Sequence, residues 1–138
     1  MKWVTWEQVG VDRMACAWLI KRSIDPQAEF QFIPTGQELP ADGEAFDIPG
    51  QRLSHHQGHC TFHTLLTAYN LTDPVLKRIA RIVDEADVVQ DVTVEPASAG
   101  LDLICRGIRL TSPDDGVALE RGAMVYEALY AELATNNS

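Results

Sequence analysis

Residues 2–33, KWVTWEQVGVDRMACAWLIKRSIDPQAEFQFI, decide the fold class of this chain. Residues 2–6 alternate in polarity and contain two tryptophans, a pattern typical of a strand. An apolar stretch follows, with Asp12 as the predicted N-cap of a helix that reaches about Arg22. Residues 29–33 predict a second strand, with its aromatic side chains on one face. The chain therefore begins with a strand, a helix and a strand.

Beyond a short third strand predicted at 46–48, the pattern is helical. Four further helices are predicted to begin near Thr61, at Asp73-Pro74, near Pro96 and at 112–115, and the last reaches about Leu133. The third of these is expected to bury Leu101, Ile104, Cys105 and Ile108. We therefore predict an α+β fold, with a small N-terminal β-sheet packed against a predominantly helical C-terminal cluster. It forms a single domain at 1–134, followed by a frayed tail at 135–138.

Composition excludes several classes of function. The chain has 138 residues, which suits one domain, and its 20 acidic and 11 basic residues give a net charge of −9. Such a charge opposes non-specific binding to nucleic acid or to an anionic membrane. No apolar run approaches the roughly 20 residues of a membrane span, and the N-terminus has no signal-peptide pattern. With three widely spaced cysteines, the sequence predicts a protein of the reducing cytoplasm.

All four histidines lie in residues 53–63, LSHHQGHCTFH. Imidazole is a preferred ligand of zinc, iron, copper and nickel. His55 and His56 are the candidate ligands, although adjacent residues of an extended segment point to opposite faces, so one of them is expected to face inward. His59 and His63 are interpreted as peripheral. The alternative is a solvated polar loop without a metal.

The acidic residues at 84–87 are the second candidate group. Asp87 follows the buried stripe of its helix, and a buried carboxylate is costly unless it is paired or bound to a metal. Asp84 lies at the edge of the same stripe, so Asp84 and Asp87 join the two histidines as candidate metal ligands. In the alternative interpretation the helix ends by Ala86 and Asp87 caps the next turn.

Cys16 and Cys60 are candidate thiols near such a site, although a cysteine among apolar neighbours is more often part of the core. Asp12, Arg13 and Glu85 are candidates for supporting these ligands or for contacting an anion. The simpler interpretation makes Asp12 a helix cap and Glu85 a solvated residue.

At several of these segments the chain resembles the C-terminal domain of the bacterial chromate-resistance proteins of the ChrB type. The matching segments are KWVTWE (2–7), VDRxACxWLI (11–20), IDPxAEF (24–30), FDIPG (46–50), LSHHxGxCxF (53–62), LTDP (71–74), AGL (99–101) and MVYxALY (124–130). Where the family often has a His-Asp pair, this chain has Asp84-Glu85, which shifts the expected metal toward harder ions.

The resemblance implies a role in the bacterial stress response to chromate. We therefore expect a cytoplasmic domain that binds a metal ion (iron, manganese or zinc) or a small oxyanion, with metal-dependent redox or hydrolytic activity. The alternative is a sensing or interaction module that acts with a partner domain and has no turnover. Nucleic acid and membrane are not expected partners of this domain, whereas a homodimer is.

Overall fold

A three-stranded parallel sheet forms the N-terminal part of the fold in the computed structural model, which describes residues 1–136. The central strand β1 (Lys2–Trp6) lies between β2 (Glu29–Ile33) and β3 (Glu44–Ala45). β1 and β2 pair in parallel along their whole lengths, so each strand ends at the same edge of the sheet. Parallel neighbours need a long crossover connection, which is helical here.

The crossover helix α1 (Val11–Leu19) is the centre of the molecule and continues into a π-helical turn, Ile20–Ile24. Eight of its nine residues are buried, because the helix contacts all four of the helices that follow it. A helix that is buried on nearly all sides is typical of a core element. One consequence is that Asp12, which is 2% exposed, lies inside the protein.

Four helices complete the fold. They are α2 (Thr61–Ala68), α3 (Pro74–Asp87), α4 (Ala97–Thr111) and α5 (Asp115–Asn136). The side chain of Trp18 from α1 stacks on Phe62 of α2 and on Tyr126 of α5, with ring centroids 6.4 and 5.9 Å apart. These contacts join α1 to the helical cluster, and the predicted α+β class is confirmed.

Three local predictions need correction. The third strand lies at 44–45, not at 46–48, because Asp47 adopts a left-handed backbone conformation (φ 54°) that turns the chain away from the sheet. The cap position of α1 is Gly10, and Asp12 instead directs its carboxylate toward α2. Ile104 is 54% exposed, because the buried side of α4 follows Leu101 and Cys105.

The predicted tail at 135–138 is only partly covered by the described residues. α5 includes residues 135 and 136, and residues 137–138 lie outside the described range. None of the helices within residues 1–136 is long and apolar enough to cross a membrane.

Candidate metal centre

Three carboxylates converge on one imidazole nitrogen. His55 Nε2 lies 2.9 Å from Asp12 Oδ2, 3.1 Å from Asp87 Oδ2 and 3.7 Å from Asp47 Oδ1. We call these four residues the His55 cluster. Its members come from four separate segments: the first turn of α1, the turn after β3, the loop before α2 and the last residue of α3.

The carboxylate of Asp12 is fixed by the N-terminus of α2. Its Oδ2 accepts a hydrogen bond from the backbone N–H of Thr61 (2.8 Å), and its Oδ1 accepts one from Phe62 (3.0 Å). The first N–H groups of a helix have no partner within the helix, and the helix dipole favours a negative charge there. Cys16 Sγ lies 3.5 Å from Oδ1. Asp12 therefore presents Oδ2 to His55 in a fixed position.

Asp47 is held by a cation and a hydroxyl. Arg13 Nε lies 3.1 Å from Asp47 Oδ2, and the Thr61 hydroxyl donates to Asp47 Oδ1 at 2.7 Å. Arg13 also donates to the backbone oxygens of Asp47 (2.8 Å) and Trp6 (3.1 Å), which ties the end of β1 to the turn. Aspartate tolerates the left-handed conformation found at position 47 better than most residues.

The electrostatics of the His55 cluster favour bound protons when no cation is present. The hydrogen bond to Asp12 raises the pKa of His55 to about 9, against the opposing effect of burial. Burial, followed by the charge of Asp12, raises the pKa of Asp47 to about 8 and also raises the pKa of Asp87 above its usual range. Asp47 and Asp87 therefore each hold a proton more tightly than an exposed aspartate does.

A divalent cation would relieve this repulsion. Donor atoms at about 2.1 Å from an ion and at right angles to each other lie about 3 Å apart, which matches the separations of His55 Nε2 from Asp12 and Asp87. Atoms of Asp12, His55 and Asp87 that could act as ligands all lie within 4.8 Å of one another. The donor set suits a cation and would repel an anion.

The His55 cluster opens into a cleft of about 480 Å³. The cleft is also lined by Trp6, Arg13 and the turn at Pro49-Gly50. A small molecule in this cleft could therefore reach an ion held by the cluster, and it would meet a guanidinium group there.

The structure brings together two of the four predicted ligands, His55 and Asp87. His56 points elsewhere, with its Nε2 2.8 Å from the backbone oxygen of Arg52. Asp84 lies against the start of α2, where Oδ1 accepts from the N–H of Cys60 (2.7 Å) and Oδ2 pairs with His59 Nδ1 (2.8 Å). Neither His56 nor Asp84 belongs to the group of converging atoms.

A tight turn separates the histidines. His56 and His59 exchange backbone hydrogen bonds, and the two residues between them, Gln57 and Gly58, have positive φ angles. Such a turn reverses the chain within two residues. His55 therefore faces the cluster, while His59 returns toward α3 and stacks on His63 with ring centroids 3.8 Å apart.

The remaining predicted residues have other contacts. Glu85 Oε1 accepts hydrogen bonds from the backbone N–H groups of Val94 (2.8 Å) and Glu95 (2.9 Å), so it holds the segment after α3. Cys16 and Cys60 are free thiols with no exposed surface. Burial raises the pKa of both, which keeps them neutral and makes them poor nucleophiles.

Asp47 was not predicted from the sequence, and Asp12 was predicted in a supporting role only. Asp47 sits directly before Ile48-Pro49-Gly50, a turn sequence, and nothing in its spacing relates it to the histidines. A usable signal was present at Asp12, because an acid in a segment that is otherwise apolar requires a buried partner. That partner lies 43 residues away at His55.

Comparison with known proteins identifies a family to which this chain is similar. Residues 3–133 match the family described as ChrB, C-terminal domain. The chain is 31% identical over 135 residues to Protein ChrB of Cupriavidus metallidurans. This alignment covers 97% of the chain and 41% of the relative, so the chain spans about two fifths of that protein's length. No solved structure matches.

Proposed function

The chain belongs to the ChrB C-terminal domain family, and from that premise we propose that it binds one divalent transition-metal ion in a chromate-resistance role. The His55 cluster is the proposed site. The observation that carries the proposal is the convergence of three carboxylates on His55 Nε2, at 2.9 to 3.7 Å. Without a cation, that many acids around one imidazole are costly to hold together.

The donor set suits Mn²⁺ or Fe²⁺. One imidazole and three carboxylates form a hard, oxygen-rich environment, whereas zinc sites in proteins are usually rich in histidine or cysteine. The thiols of Cys16 and Cys60 are neutral and are not among the converging atoms. We therefore propose Mn²⁺ or Fe²⁺ as the ion held when it is available, since the affinity of such a site still rises along the series toward Zn²⁺.

The four residues of the His55 cluster have different parts in the proposed site. Asp12, fixed by α2, and Asp47, fixed by Arg13, provide a rigid half of the site. His55 and Asp87 lie on its more exposed side, toward the cleft. When bound, an ion of this class supplies Lewis-acid or redox chemistry. A small anion such as chromate would be attracted by the bound cation, because the guanidinium group of Arg13 at the cleft wall is already paired with Asp47.

Metal binding is tested by elemental analysis and calorimetry. Protein purified without chelator should contain up to one equivalent of metal, and protein treated with EDTA should bind one equivalent of Mn²⁺ or anaerobic Fe²⁺. Asp87→Asn should weaken binding by at least about tenfold. The matched control is Asp91→Asn, an exposed acid four residues further along, which should bind like the original protein. Equal affinity of Asp87→Asn and Asp91→Asn would refute the site.

A sensing role is the second candidate, favoured by the origin of the His55 cluster in four separate segments. An ion that joins α1, two loops and the end of α3 would change how those segments move relative to one another. The two roles differ in turnover. An enzyme should remove many equivalents of chromate per protein in the presence of a reductant, whereas a sensor should bind saturably without consuming it.

A further inference from the structure

A second pocket, of about 580 Å³, lies between α2 and α3. The segment after α3 closes one side through Val92 and Val94. It shares no lining residue with the cleft above the His55 cluster. Its volume falls in the range of pockets that hold small organic molecules.

Two unpaired cations line this pocket. Lys77 and Arg81 are exposed, stand four residues apart on α3 and form no ion pair within residues 1–136. Like charges at this spacing oppose helix stability by a few tenths of a kcal/mol. The chain has 20 acids for 11 bases, so carboxylates to neutralise these two groups are not scarce. Asp84 and Glu85 also line the pocket, so what distinguishes Lys77 and Arg81 is that neither has an ion-pair partner within residues 1–136.

The two acids of the same pocket, Asp84 and Glu85, have hydrogen-bond partners other than Lys77 and Arg81. Both oxygens of Asp84 have partners, one in the ring of His59 and one in the backbone N–H of Cys60. Glu85 binds two backbone N–H groups through Oε1. Neither carboxylate reaches Lys77 or Arg81 as an ion-pair partner.

The other walls offer a polar side and an apolar side. His63 stacks on His59 and faces the pocket half-buried, which gives an imidazole able to donate a hydrogen bond. Leu66 and Leu71 are apolar residues of the same lining. A guanidinium group and an ammonium group four residues apart on one helix are the cation types that bind phosphate and sulfate groups.

We propose that this pocket binds a dianionic tetrahedral oxyanion group through Lys77 and Arg81, with the body of a small phosphomonoester against Leu66 and Leu71. The volume supports the organic body, because a bare tetrahedral ion would leave most of the space unfilled. The proposal is independent of metal binding at the His55 cluster.

The test uses the full chain after EDTA treatment, at low ionic strength, with three probes: phenyl phosphate, inorganic phosphate and sulfate. Calorimetry gives the affinities, and the ring resonances of the four histidines report the position of binding by NMR. The variants are Lys77→Gln and Arg81→Gln. The matched controls are Lys21→Gln and Arg109→Gln, which each remove one cation without an ion pair elsewhere in residues 1–136.

We expect saturable binding that each pocket variant weakens by about tenfold or more, and that neither control changes. The resonances of His59 and His63 should move, and Asp87→Asn should bind the probes unchanged, which separates this pocket from the proposed metal site. Phenyl phosphate should bind more tightly than inorganic phosphate. Equal affinities would overturn the role of the apolar wall. Absence of saturable binding, unchanged affinity in both pocket variants, or shifts confined to His55 would overturn the proposal.

Discussion

At the scale of single residues, Asp84 and Asp87 are two acids of one helix that make different contacts. Asp84 is 6% exposed and uses both oxygens to hold the start of α2. Asp87 is partly exposed, and its Oδ2 lies 3.1 Å from His55 Nε2. Asp84 therefore holds the start of α2, whereas Asp87 contacts His55 at the proposed metal site.

Replacing each acid by alanine should separate stability from metal binding. Asp84→Ala leaves a buried N–H of Cys60 without its acceptor and should lower the free energy of unfolding by about 1–3 kcal/mol. It should keep one equivalent of bound Mn²⁺. Asp87→Ala should bind Mn²⁺ at least about tenfold more weakly and unfold at a urea concentration close to that of the original metal-free protein.

Urea unfolding and calorimetry on the two variants measure both quantities. Asp84→Asn is the control, because its amide oxygen can still accept from Cys60, and it should lose less stability than the alanine variant. A loss of Mn²⁺ in Asp84→Asn with the fold intact would show that Asp84 is a ligand after all.

The sequence could identify half of the His55 cluster as ligand candidates. His55 and Asp87 were both predicted as ligands, but the sequence did not choose between His55 and His56, and Asp87 lies at the exposed end of α3 and not on its buried face. Asp47 could not be found, because its position depends on a left-handed residue and an ion pair with Arg13. Such long-range contacts leave no periodic signal in the sequence.

At the scale of elements, α1 and α5 approach each other closely at Gly122. A Cβ atom added there would lie 2.9 Å from Met14 Sδ and 3.2 Å from Met14 Cβ. At Gly107, in α4, an added Cβ would meet nothing within 4 Å. Both glycines are helical, so they differ in packing and not in backbone preference.

Alanine at these two glycines should have opposite effects. Gly107→Ala should raise the free energy of unfolding by about 0.5–1 kcal/mol, because it lowers the backbone entropy of the unfolded chain. Gly122→Ala gains the same entropic stabilisation, but overpacking against Met14 lowers its free energy of unfolding by about 1–3 kcal/mol. Thermal unfolding should therefore place Gly107→Ala above Gly122→Ala, and the reverse order would contradict the close contact.

Long helices were the most predictable elements. α3 and α5 carry proline and acidic start signals and several turns of apolar periodicity, and both begin within two residues of the predicted position. β3 has only two residues, so its place is decided by pairing with β1 and not by local preference. Ile104 was wrongly predicted to be buried because α4 also has apolar residues on its exposed face.

At the scale of the whole molecule, the His55 cluster makes the stability of the metal-free protein depend on pH. His55 (pKa about 9 when folded, ordinarily 6.5) and Asp47 (about 8, ordinarily 3.8) both hold protons more tightly in the folded chain. The folded state therefore binds more protons between pH 6.5 and 9, and the free energy of unfolding should fall as pH rises through this window. We expect a loss on the order of 1–2 kcal/mol, reduced by solvent screening of half-exposed His55.

Metal should reverse this trend. An ion needs His55 and the carboxylates without protons, so its affinity should increase toward pH 9 and binding should release protons. Urea unfolding at pH 6.5 and 9, with EDTA or with excess Mn²⁺, measures how the free energy of unfolding changes with pH in the absence and in the presence of metal. Asp91→Asn should behave like the original protein. A metal-free protein that is equally stable at both pH values would refute the proton-holding cluster.

The capping of α2 also decides when this helix can form during folding. α2 has eight residues and no side-chain cap of its own, and its first N–H groups bind carboxylates from α1 and α3. A helix of this length is marginal in isolation. It must wait until segments about 50 residues before it and about 25 after it have docked. We therefore expect α2 to form after the folding transition state. Mutations in α2 should then change the unfolding rate much more than the folding rate, and the loop that carries His55 should become ordered late.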